Sequence, residues 1–469
     1  MRRYDLGKNY KTVFFIGIGG IHMSAMARLL HESSLRVAGS DKKSSAATDA
    51  LAAIGVTVYI GHDASHITRD IDAVIYTAAV PQDNPELARA RELGVETMER
   101  AKALGLIMKN YKYPICVSGT HGKTTATSMI TEIFLASGRD STAIIGGILP
   151  SIGGALRIGS DEYFIAEANE YFDDFLRFFP YVGVILNIEL DHTDYFKNIT
   201  AMRKSFADFA RIIDPEGALV INSAIQDLDE ITHGLKCKVI TYGFNDADYT
   251  ARNIAFDESG FASFDIIYKG AFYTRVSLSI PGEHNILNAL ASAAASIYAS
   301  SATGGLEKSE TINGLSSFSG ADRRFQFKGA INGGAVKIYD DYAHHPSEIK
   351  ATIDAALKIK HNKLWCIFQP HTKKRTRELF PDFVKSFAGA DNIIILDIYN
   401  PAGREENDCE ITSLDLLDGI KKNGQTNAYY FSSFQEAKIF FKERAVKDDM
   451  LITMGAGDVV LLGESIISG

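Results

Sequence analysis

Residues 116 to 125 read Cys116-Val117-Ser118-Gly119-Thr120-His121-Gly122-Lys123-Thr124-Thr125, and they follow the apolar run Pro114–Val117. The apolar residues that come next have helical spacing, at Met129, Ile130, Ile133 and Phe134. Strand, glycine loop and helix in this order predict a cradle in which backbone N–H groups and the positive end of a helix face an anion. The usual phosphate-loop pattern would place its first glycine at Val117, so the loop is a variant. A glycine turn that only caps a helix is the alternative.

The residue types of this loop match the chemistry of nucleotide phosphates. A lysine at position 123 would contact the β- and γ-phosphates, and the hydroxyl of Thr124 would ligate the Mg²⁺ that bridges them. The predicted nucleotide-binding residues are Gly119, Thr120, His121, Gly122, Lys123, Thr124 and Thr125.

Composition restricts the class of protein. With 469 residues the chain exceeds what one hydrophobic core usually serves, so we expect two to four domains. Lys and Arg total 49 against 58 for Asp and Glu, which argues against a nucleic-acid partner. No window of 18 consecutive apolar residues predicts a membrane span. The four cysteines, Cys116, Cys237, Cys366 and Cys409, have no C-x-x-C spacing, so we expect reduced thiols in a cytoplasmic protein.

The first segment begins as a β-α-β unit of Rossmann type. A strand at Thr12–Ile16 leads into the glycine-rich turn Gly17–Met23, and a second strand at Leu35–Ala38 ends near Ser40-Asp41. His22 occupies the position of the third fingerprint glycine, so the pattern does not by itself indicate nicotinamide binding. A glycine-rich turn without a ligand remains the alternative.

In the second segment, polar residues follow two predicted strands. Tyr163–Ala166 is followed by Glu167, and Val182–Ile188 is followed by a turn that contains His192. Since ligands bind at the carboxyl ends of parallel strands, these two residues and Thr124 are predicted to converge on metal and phosphate.

A later helix, which ends near Ala299, begins with three polar residues on one face: His284, Asn285 and Asn288. They could cap the helix or hydrogen-bond the edge of a base.

The third segment alternates strands with helices, which predicts another parallel sheet. Predicted strands are Lys337–Tyr339, Leu364–Gln369, Asn392–Asp397 and Met450–Thr453, with a helix at Ile349–Ile359. The run Asp340–His345 is interpreted as a polar cluster facing a cleft, with a metal site as the alternative. The basic runs Arg323-Arg324 and Lys373–Arg377 could neutralise a phosphorylated ligand.

The order of these motifs resembles that of the Mur ligases, and the resemblance covers essentially the whole chain. It rests on Gly17–Met23, Gly119–Thr125, Asn187–His192, His284–Asn288, Asp322–Phe325, Asp340–Pro346 and Phe368–His371.

The resemblance implies an α/β fold of three domains. Residues 1–108 would form a Rossmann-like domain that binds the UDP substrate. Residues 109–321 would form a central P-loop ATPase-like parallel sheet that binds ATP, and residues 322–469 a Rossmann-like domain that binds the amino acid.

The resemblance also implies an activity, namely ATP-dependent ligation of L-alanine to UDP-N-acetylmuramate through an acyl phosphate. This reaction belongs to peptidoglycan precursor synthesis in the bacterial cytoplasm. ATP and two Mg²⁺ ions, with Mn²⁺ as an alternative metal, would be the cofactors. The protein would be a monomer or homodimer with neither nucleic acid nor membrane as a partner.

Site residues follow from the same resemblance. Lys123, His344 and Arg375 would be catalytic, with His344 the candidate base. Substrate would contact Gly17, Gly19, Gly20, His22, Met23, Ser40, Asp41, His121 and Arg375. Metal ligands would be Thr124 and Glu167 for one ion and His192 for a second, while His284, Asn285, Asn288 and Arg324 would join the loop residues in binding ATP.

Two positions depart from the family pattern. Thr372 stands where relatives often have arginine, and the residues after Glu167 are Ala-Asn-Glu-Tyr-Phe-Asp instead of a serine-containing acidic run. Lys204 has roughly the spacing of the carbamylated lysine of some relatives and is not assigned to the site.

Three other functions remain as alternatives. These are a ligase that joins a recycled tripeptide to UDP-N-acetylmuramate, an NAD-dependent oxidoreductase, and a nucleotide sensor without catalysis.

Overall fold

The computed structural model describes residues 4–77, 79–400 and 410–468. The chain divides into two compact units. The first contains Met1–Glu189, Ile199–Tyr242 and Ala291–Gly314, and the second contains Leu190–Asn198, Gly243–Leu290 and Leu315–Gly469. Cys409 lies outside the described residues. Among the described residues, no helix is both long and apolar enough to cross a membrane.

The first sheet of the first unit is parallel throughout, in the order β3-β2-β1-β4-β5. Its elements are β1 Thr12–Ile16, α1 Ile21–Glu32, β2 Arg36–Asp41, α2 Ala46–Ala53, β3 Thr57–Ile60, β4 Ala73–Tyr76, α3 Pro85–Glu92, β5 Glu96–Glu99 and α4 Arg100–Met108. Val13–Ile16 is almost fully buried, as expected for a parallel strand covered on both faces.

A second sheet of this unit carries the glycine loop. Its elements are β6 Tyr113–Ser118, α5 Lys123–Ala136, β7 Thr142–Leu149, β8 Gly154–Arg157, β9 Tyr163–Glu167, β10 Val182–Ile185, α6 Ile199–Arg211, β11 Ala218–Asn222, α7 Leu228–Thr232 and β12 Lys238–Gly243. The order is β12-β11-β10-β6-β9-β7-β8, and all neighbours with a described register are parallel except β7 and β8. The loop therefore leaves β6 from the middle of the sheet.

The second unit contains an antiparallel meander, β13 Tyr249–Phe256, β14 Phe261–Tyr268 and β15 Ala271–Pro281. The helices α8 His284–Ser300 and α9 Lys308–Ser317 have residues in both units.

The third sheet has the order β16-β17-β21-β18-β19-β20 and is parallel except for the pair β16–β17. Its elements are β16 Gln326–Ile331, β17 Val336–Asp341, α10 Pro346–Ala356, β18 Leu364–Phe368, α11 Lys373–Glu378, α12 Phe380–Ser386, β19 Asn392–Ile395, α13 Ser413–Lys422, β20 Ala428–Tyr430, α14 Phe434–Arg444, β21 Met450–Met454 and α15 Val459–Ser468. In β18, Trp365 and Ile367 pack into one core while Cys366 and Phe368 pack into another. The sheet is thus covered on both faces.

The α/β class predicted from the sequence is confirmed, and the strand Thr12–Ile16 has the predicted bounds. Predictions of purely parallel sheets were incomplete, because the meander and the antiparallel strands β8 and β16 were missed. The helix predicted at Ile349–Ile359 instead spans Pro346–Ala356. It starts earlier because Pro346 suits the first helical turn and His345 caps it in a capping box with Glu348.

Candidate functional site

Two glycines give the phosphate loop its shape. Gly119 has φ +138°, and a Cβ atom there would lie 2.9 Å from the Cβ of Leu186. Gly122 has φ +83° in the left-handed region and directly precedes α5. Among the described residues no side chain caps this helix start, so the first N–H groups of α5 are available to an anion. The loop therefore fits the phosphates of a nucleotide.

The ammonium of Lys123 lies inside this loop. It donates to the carbonyl oxygens of Gly119 and Thr120 and to both carboxylate oxygens of Glu170, at 3.2 and 2.9 Å. The Glu170 side chain is fully buried, and that of Lys123 is 17% exposed. The sequence singled out Lys123 but assigned no role to Glu170, since no local pattern links residues 47 positions apart.

The outer part of the loop is tied to the segment after β10. The His121 N–H donates to Asn187 Oδ1 at 2.8 Å, and Asn187 Nδ2 donates to the His121 carbonyl at 3.1 Å. Thr120 Oγ1 donates to the Glu189 carbonyl and accepts from the Glu189 N–H. His121 Nε2 is 3.4 Å from the Glu189 carboxylate. Asn187 and Glu189 thus shape the loop, and their only sequence signal was membership of the motif Asn187–His192.

Glu167 ends β9 next to β7. One of its carboxylate oxygens accepts from the Gly146 N–H at 2.5 Å, and a Cβ atom at position 146 would lie 2.7 Å from both oxygens. Thr124 is buried in the first turn of α5. A hydroxyl and a carboxylate oxygen are the hard donors that Mg²⁺ prefers, so the donor set fits this metal.

The first glycine-rich turn is held by Asp41. Gly19 N–H donates to Asp41 Oδ2 at 2.8 Å, and the N–H groups of Gly17 and Ile18 donate to the Ser40 carbonyl. His22 lies at the start of α1, and burial, with a smaller contribution from Arg100, lowers its pKa to about 3. The His22 Nε2 atom has no hydrogen-bond partner in the described residues, which leaves it available to a ligand.

Ser40 belongs to a buried polar cluster that the sequence did not predict. Its hydroxyl donates to Glu86 at 2.6 Å, and the Nδ1 atoms of His62 and His66 lie 2.8 and 2.7 Å from the same carboxylate. Glu86 has no exposed side-chain surface. The cluster fixes the carboxyl end of β2, where the family resemblance implied the substrate contacts Ser40 and Asp41.

In the second unit, two of the three polar residues at the start of α8 bond locally. Asn285 Nδ2 donates to the Pro281 carbonyl at 2.7 Å, and Asn288 Nδ2 donates to Asn285 Oδ1 at 3.0 Å. These bonds correspond to the capping alternative, and a contact of these residues or His284 with a base stays a prediction.

Arg375 and Asp191 form a buried ion pair in the second unit. Arg375 Nε and Nη2 donate to Asp191 Oδ1 at 3.2 and 3.0 Å, and Arg375 Nη1 lies 3.1 Å from His371 Nδ1. Burial alone would raise the pKa of Asp191, but the charge of Arg375 and weaker effects of nearby histidines hold it well below its ordinary range. The neighbouring His192 has φ +50°. His371 is a site residue that the sequence quoted only as part of a motif.

Arg375 is positioned by a strained residue. Thr372 is buried with φ +64°, which is uncommon for a β-branched side chain, and its Oγ1 caps α11 by accepting from the Arg375 N–H. The basic run Lys373–Arg377 therefore lies within the short helix α11.

His344, the candidate base, lies beside this pair. Its Nδ1 is 2.9 Å from the Tyr342 carbonyl and 3.3 Å from Glu348, and its ring lies edge-on to that of His371. Burial lowers the pKa of His344 to about 4, against the opposing effect of Glu348. The imidazole is therefore neutral at pH 7, as a base must be.

The acidic pair Asp340-Asp341 lies within β17, whereas the sequence placed it after the strand. Asp340 is fully buried and accepts from Arg323 Nε at 3.0 Å and Thr453 Oγ1 at 2.7 Å. Asp341 accepts from the N–H groups of Phe325 and Ala343. The interpretation of these aspartates as a cluster facing a cleft was therefore wrong, because their partners are interior backbone and side-chain groups.

Arg323 and Arg324 have different surroundings. Arg323 also donates to the Gly455 carbonyl at 2.6 Å, so its guanidinium is bound by groups within the protein. Arg324 is 29% exposed and lies 3.9 Å from Glu348. Of the two, Arg324 has the more exposed side chain and is the better placed to meet a phosphate.

The buried carboxyl group of Asp341 should make the stability of the protein depend on pH. Burial raises its pKa from 3.8 to about 6. The stability that this group contributes is therefore fully present below pH 4 and is lost as the pH rises through 6. The loss lowers the free energy of unfolding by about 3 kcal/mol. Relative to Asp341→Asn, wild-type stability should fall by that amount between pH 4 and pH 7. Denaturant unfolding followed by the fluorescence of Trp365, the single tryptophan, reports on this unit.

The exposed Asp418→Asn variant is the control and should follow the wild-type profile. If the free energies of unfolding of wild type and Asp341→Asn changed with pH in the same way, the raised pKa of Asp341 would be contradicted.

Family models match three successive parts of the chain. A model described as Mur ligase family, catalytic domain, matches residues 12–112. The Mur ligase middle domain matches residues 117–296, and a model described as Mur ligase, glutamate ligase domain, matches residues 323–457.

Individual proteins match along nearly the whole length. A UDP-N-acetylmuramate--L-alanine ligase of Agathobacter rectalis is 49% identical over 456 residues, 97% of this chain and 97% of the relative. The crystal structure of a UDP-N-acetylmuramate-alanine ligase from Thermotoga maritima is similar with a TM-score of 0.80 at 27% identity, covering 97% of this chain and 98% of the other. A murein peptide ligase from Psychrobacter arcticus has a TM-score of 0.70 at 23% identity, covering 98% of both chains, and that likeness concerns the fold alone.

Proposed function

The chain belongs to the Mur ligase family, and from this we propose that it joins L-alanine to UDP-N-acetylmuramate at the expense of ATP, in peptidoglycan precursor synthesis. The observation that carries the proposal is the identity of 49% with an L-alanine ligase over 97% of both chains. The glycine loop, with Lys123 inside it and an uncapped helix start beside it, supports ATP as the nucleotide.

The proposed chemistry has two steps. The lactyl carboxylate of UDP-N-acetylmuramate attacks the γ-phosphorus of ATP, which releases ADP and gives an acyl phosphate. The amine of L-alanine then attacks the acyl carbon and loses a proton, and inorganic phosphate leaves. Negative charge is concentrated among phosphate and carboxylate oxygens in both steps, so positioning and neutralisation are the main tasks of the protein.

Each residue has a proposed task. Lys123 and the N–H groups at the start of α5 hold the phosphates, while His22 and the Gly17–Met23 turn hold the substrate pyrophosphate. His344, neutral at pH 7, is the candidate acceptor of the amine proton. Arg375 and Arg324 bind anionic groups of the substrates.

Metal binding belongs to the same proposal. Thr124 and Glu167 are the candidate ligands of one Mg²⁺ and His192 of a second, with Mn²⁺ as a substitute. Bound Mg²⁺ supplies charge neutralisation at the phosphate oxygens. A cytoplasmic location and a monomeric or dimeric state complete the proposal, as does the division into domains at residues 108 and 321.

Phosphate release from ATP tests the proposed function. It should require UDP-N-acetylmuramate and L-alanine together, and the product should contain an amide bond. Release with the recycled tripeptide in place of L-alanine would favour the tripeptide ligase instead. ATP binding without phosphate release under every combination would favour the nucleotide sensor.

A further inference from the structure

A second carboxylate, that of Glu170, contacts the lysine of the phosphate loop and follows the candidate metal ligand Glu167 by three residues. Its side chain is fully buried, and its two oxygens lie 3.2 and 2.9 Å from the Lys123 ammonium. The proposed chemistry gives this carboxylate no task, although it contacts the lysine that the chemistry depends on.

The hydrogen-bond capacity of Lys123 is filled by the protein. An ammonium group has three N–H donors, and acceptors are present at the Gly119 carbonyl, the Thr120 carbonyl and the Glu170 carboxylate. A phosphate oxygen must therefore displace one of the three to be bound by Lys123. The two carbonyls belong to the loop backbone, so Glu170 is the partner that a side-chain movement can remove.

The chain after Glu170 is strained. Phe172 and Asp173 are both non-glycine residues with φ +57°, a conformation that is held only where surrounding contacts enforce it. Asp173 accepts from the Ser205 hydroxyl, and Asp174 pairs with Arg100. These contacts fix the far end of the turn that carries Glu170 to the lysine.

We propose that Glu170 is an internal competitor for the phosphate-binding lysine, so that its carboxylate holds Lys123 in the free protein and is displaced by the β- and γ-phosphates of a nucleotide. This inference rests on the proposed binding of ATP at the loop. A carboxylate and a phosphate on one partly buried ammonium repel each other, so each weakens the binding of the other. The pair therefore lowers nucleotide affinity and favours the release of ADP.

Removing the charge of Glu170 should strengthen nucleotide binding. Glu170→Gln keeps the shape and one acceptor oxygen but removes the negative charge, so the hydrogen bond to Lys123 loses the ionic attraction of the carboxylate and is easier for a phosphate to displace. We expect the dissociation constants of ADP and of β,γ-imido-ATP with Mg²⁺, measured by calorimetry on the full chain, to fall about tenfold. Glu216→Gln removes the same charge at an exposed position and should leave both constants unchanged.

The nucleotide dissociation constants distinguish the competitor role of Glu170 from the proposed binding of ATP. If wild type binds both nucleotides and Glu170→Gln binds them equally or more weakly, the competitor role is overturned while the proposed function stands. Failure of wild type to bind either nucleotide would instead overturn the ATP site. Should Glu170→Gln not fold, Glu170→Asp shortens the side chain and should also tighten binding, and unchanged or weaker binding would overturn the role.

Discussion

Replacing Lys123 by alanine is expected to lower kcat/KM for ligation by about 10²–10³-fold, the usual effect of removing one group that stabilises transition-state charge. The ammonium lies within the loop, beside the first turn of α5, where it would neutralise charge on the transferring phosphoryl group. Steady-state phosphate release with saturating UDP-N-acetylmuramate and L-alanine measures the effect. Near-normal turnover would remove the loop from the catalytic site.

The same substitution has a structural consequence that must be separated from catalysis. Without Lys123 the buried Glu170 keeps an uncompensated charge, which should destabilise the protein by about 3–5 kcal/mol. The double variant Lys123→Ala/Glu170→Gln removes that charge, so it should regain stability but not activity. Lys102→Ala, an exposed lysine of α4, is the control for activity. Recovery of activity in the double variant would show that Lys123 acts only through stability.

Replacing Arg375 by alanine is expected to destabilise the second unit by about 3–5 kcal/mol at pH 7, because Asp191 stays buried without its counter-ion. In wild type the pKa of Asp191 is held low, so the stability it contributes is present above pH 4 and is lost only as the pH falls through that low value. In the variant, burial raises this pKa and the carboxyl group becomes neutral in mild acid. The difference in the free energy of unfolding between wild type and Arg375→Ala should therefore be largest at neutral pH and smaller near pH 4.5.

Trp365 fluorescence during denaturant unfolding measures this difference. Arg377→Ala, at an exposed position of the same helix α11, is the matched control and should unfold like wild type. Asp191→Asn/Arg375→Ala should be more stable than Arg375→Ala alone, since it removes the unpaired charge. A difference of constant size from pH 4.5 to pH 7 would contradict the account of the Arg375–Asp191 pair.

Local signals were sufficient for much of the fold. The strand–glycine–helix order around Gly119–Thr125 predicted the loop between β6 and α5, since apolar runs and glycines at positive φ act over a few residues. The bounds of α10 were three residues off at each end, because the capping effect of His345 and Pro346 outweighed the apolar spacing. The sequence did not predict strands β13–β16. Their antiparallel pairing depends on partner strands elsewhere in the chain, which a local pattern of residues does not identify.

The sequence by itself determined the α/β class, the family and the position of the phosphate loop, because these depend on periodicity and on residue types at short spacing. Only the tertiary structure decided which charges meet. Arg375 and Asp191 are 184 positions apart, and Lys123 and Glu170 are 47 apart. Such pairs form where segments distant in the sequence pack together, and at Asp191 the charge of Arg375 outweighs burial and keeps the carboxylate ionised. Burial, which removes water from around a charge, raises the pKa of Asp341 and leaves the Glu170 carboxylate with the Lys123 ammonium as its partner.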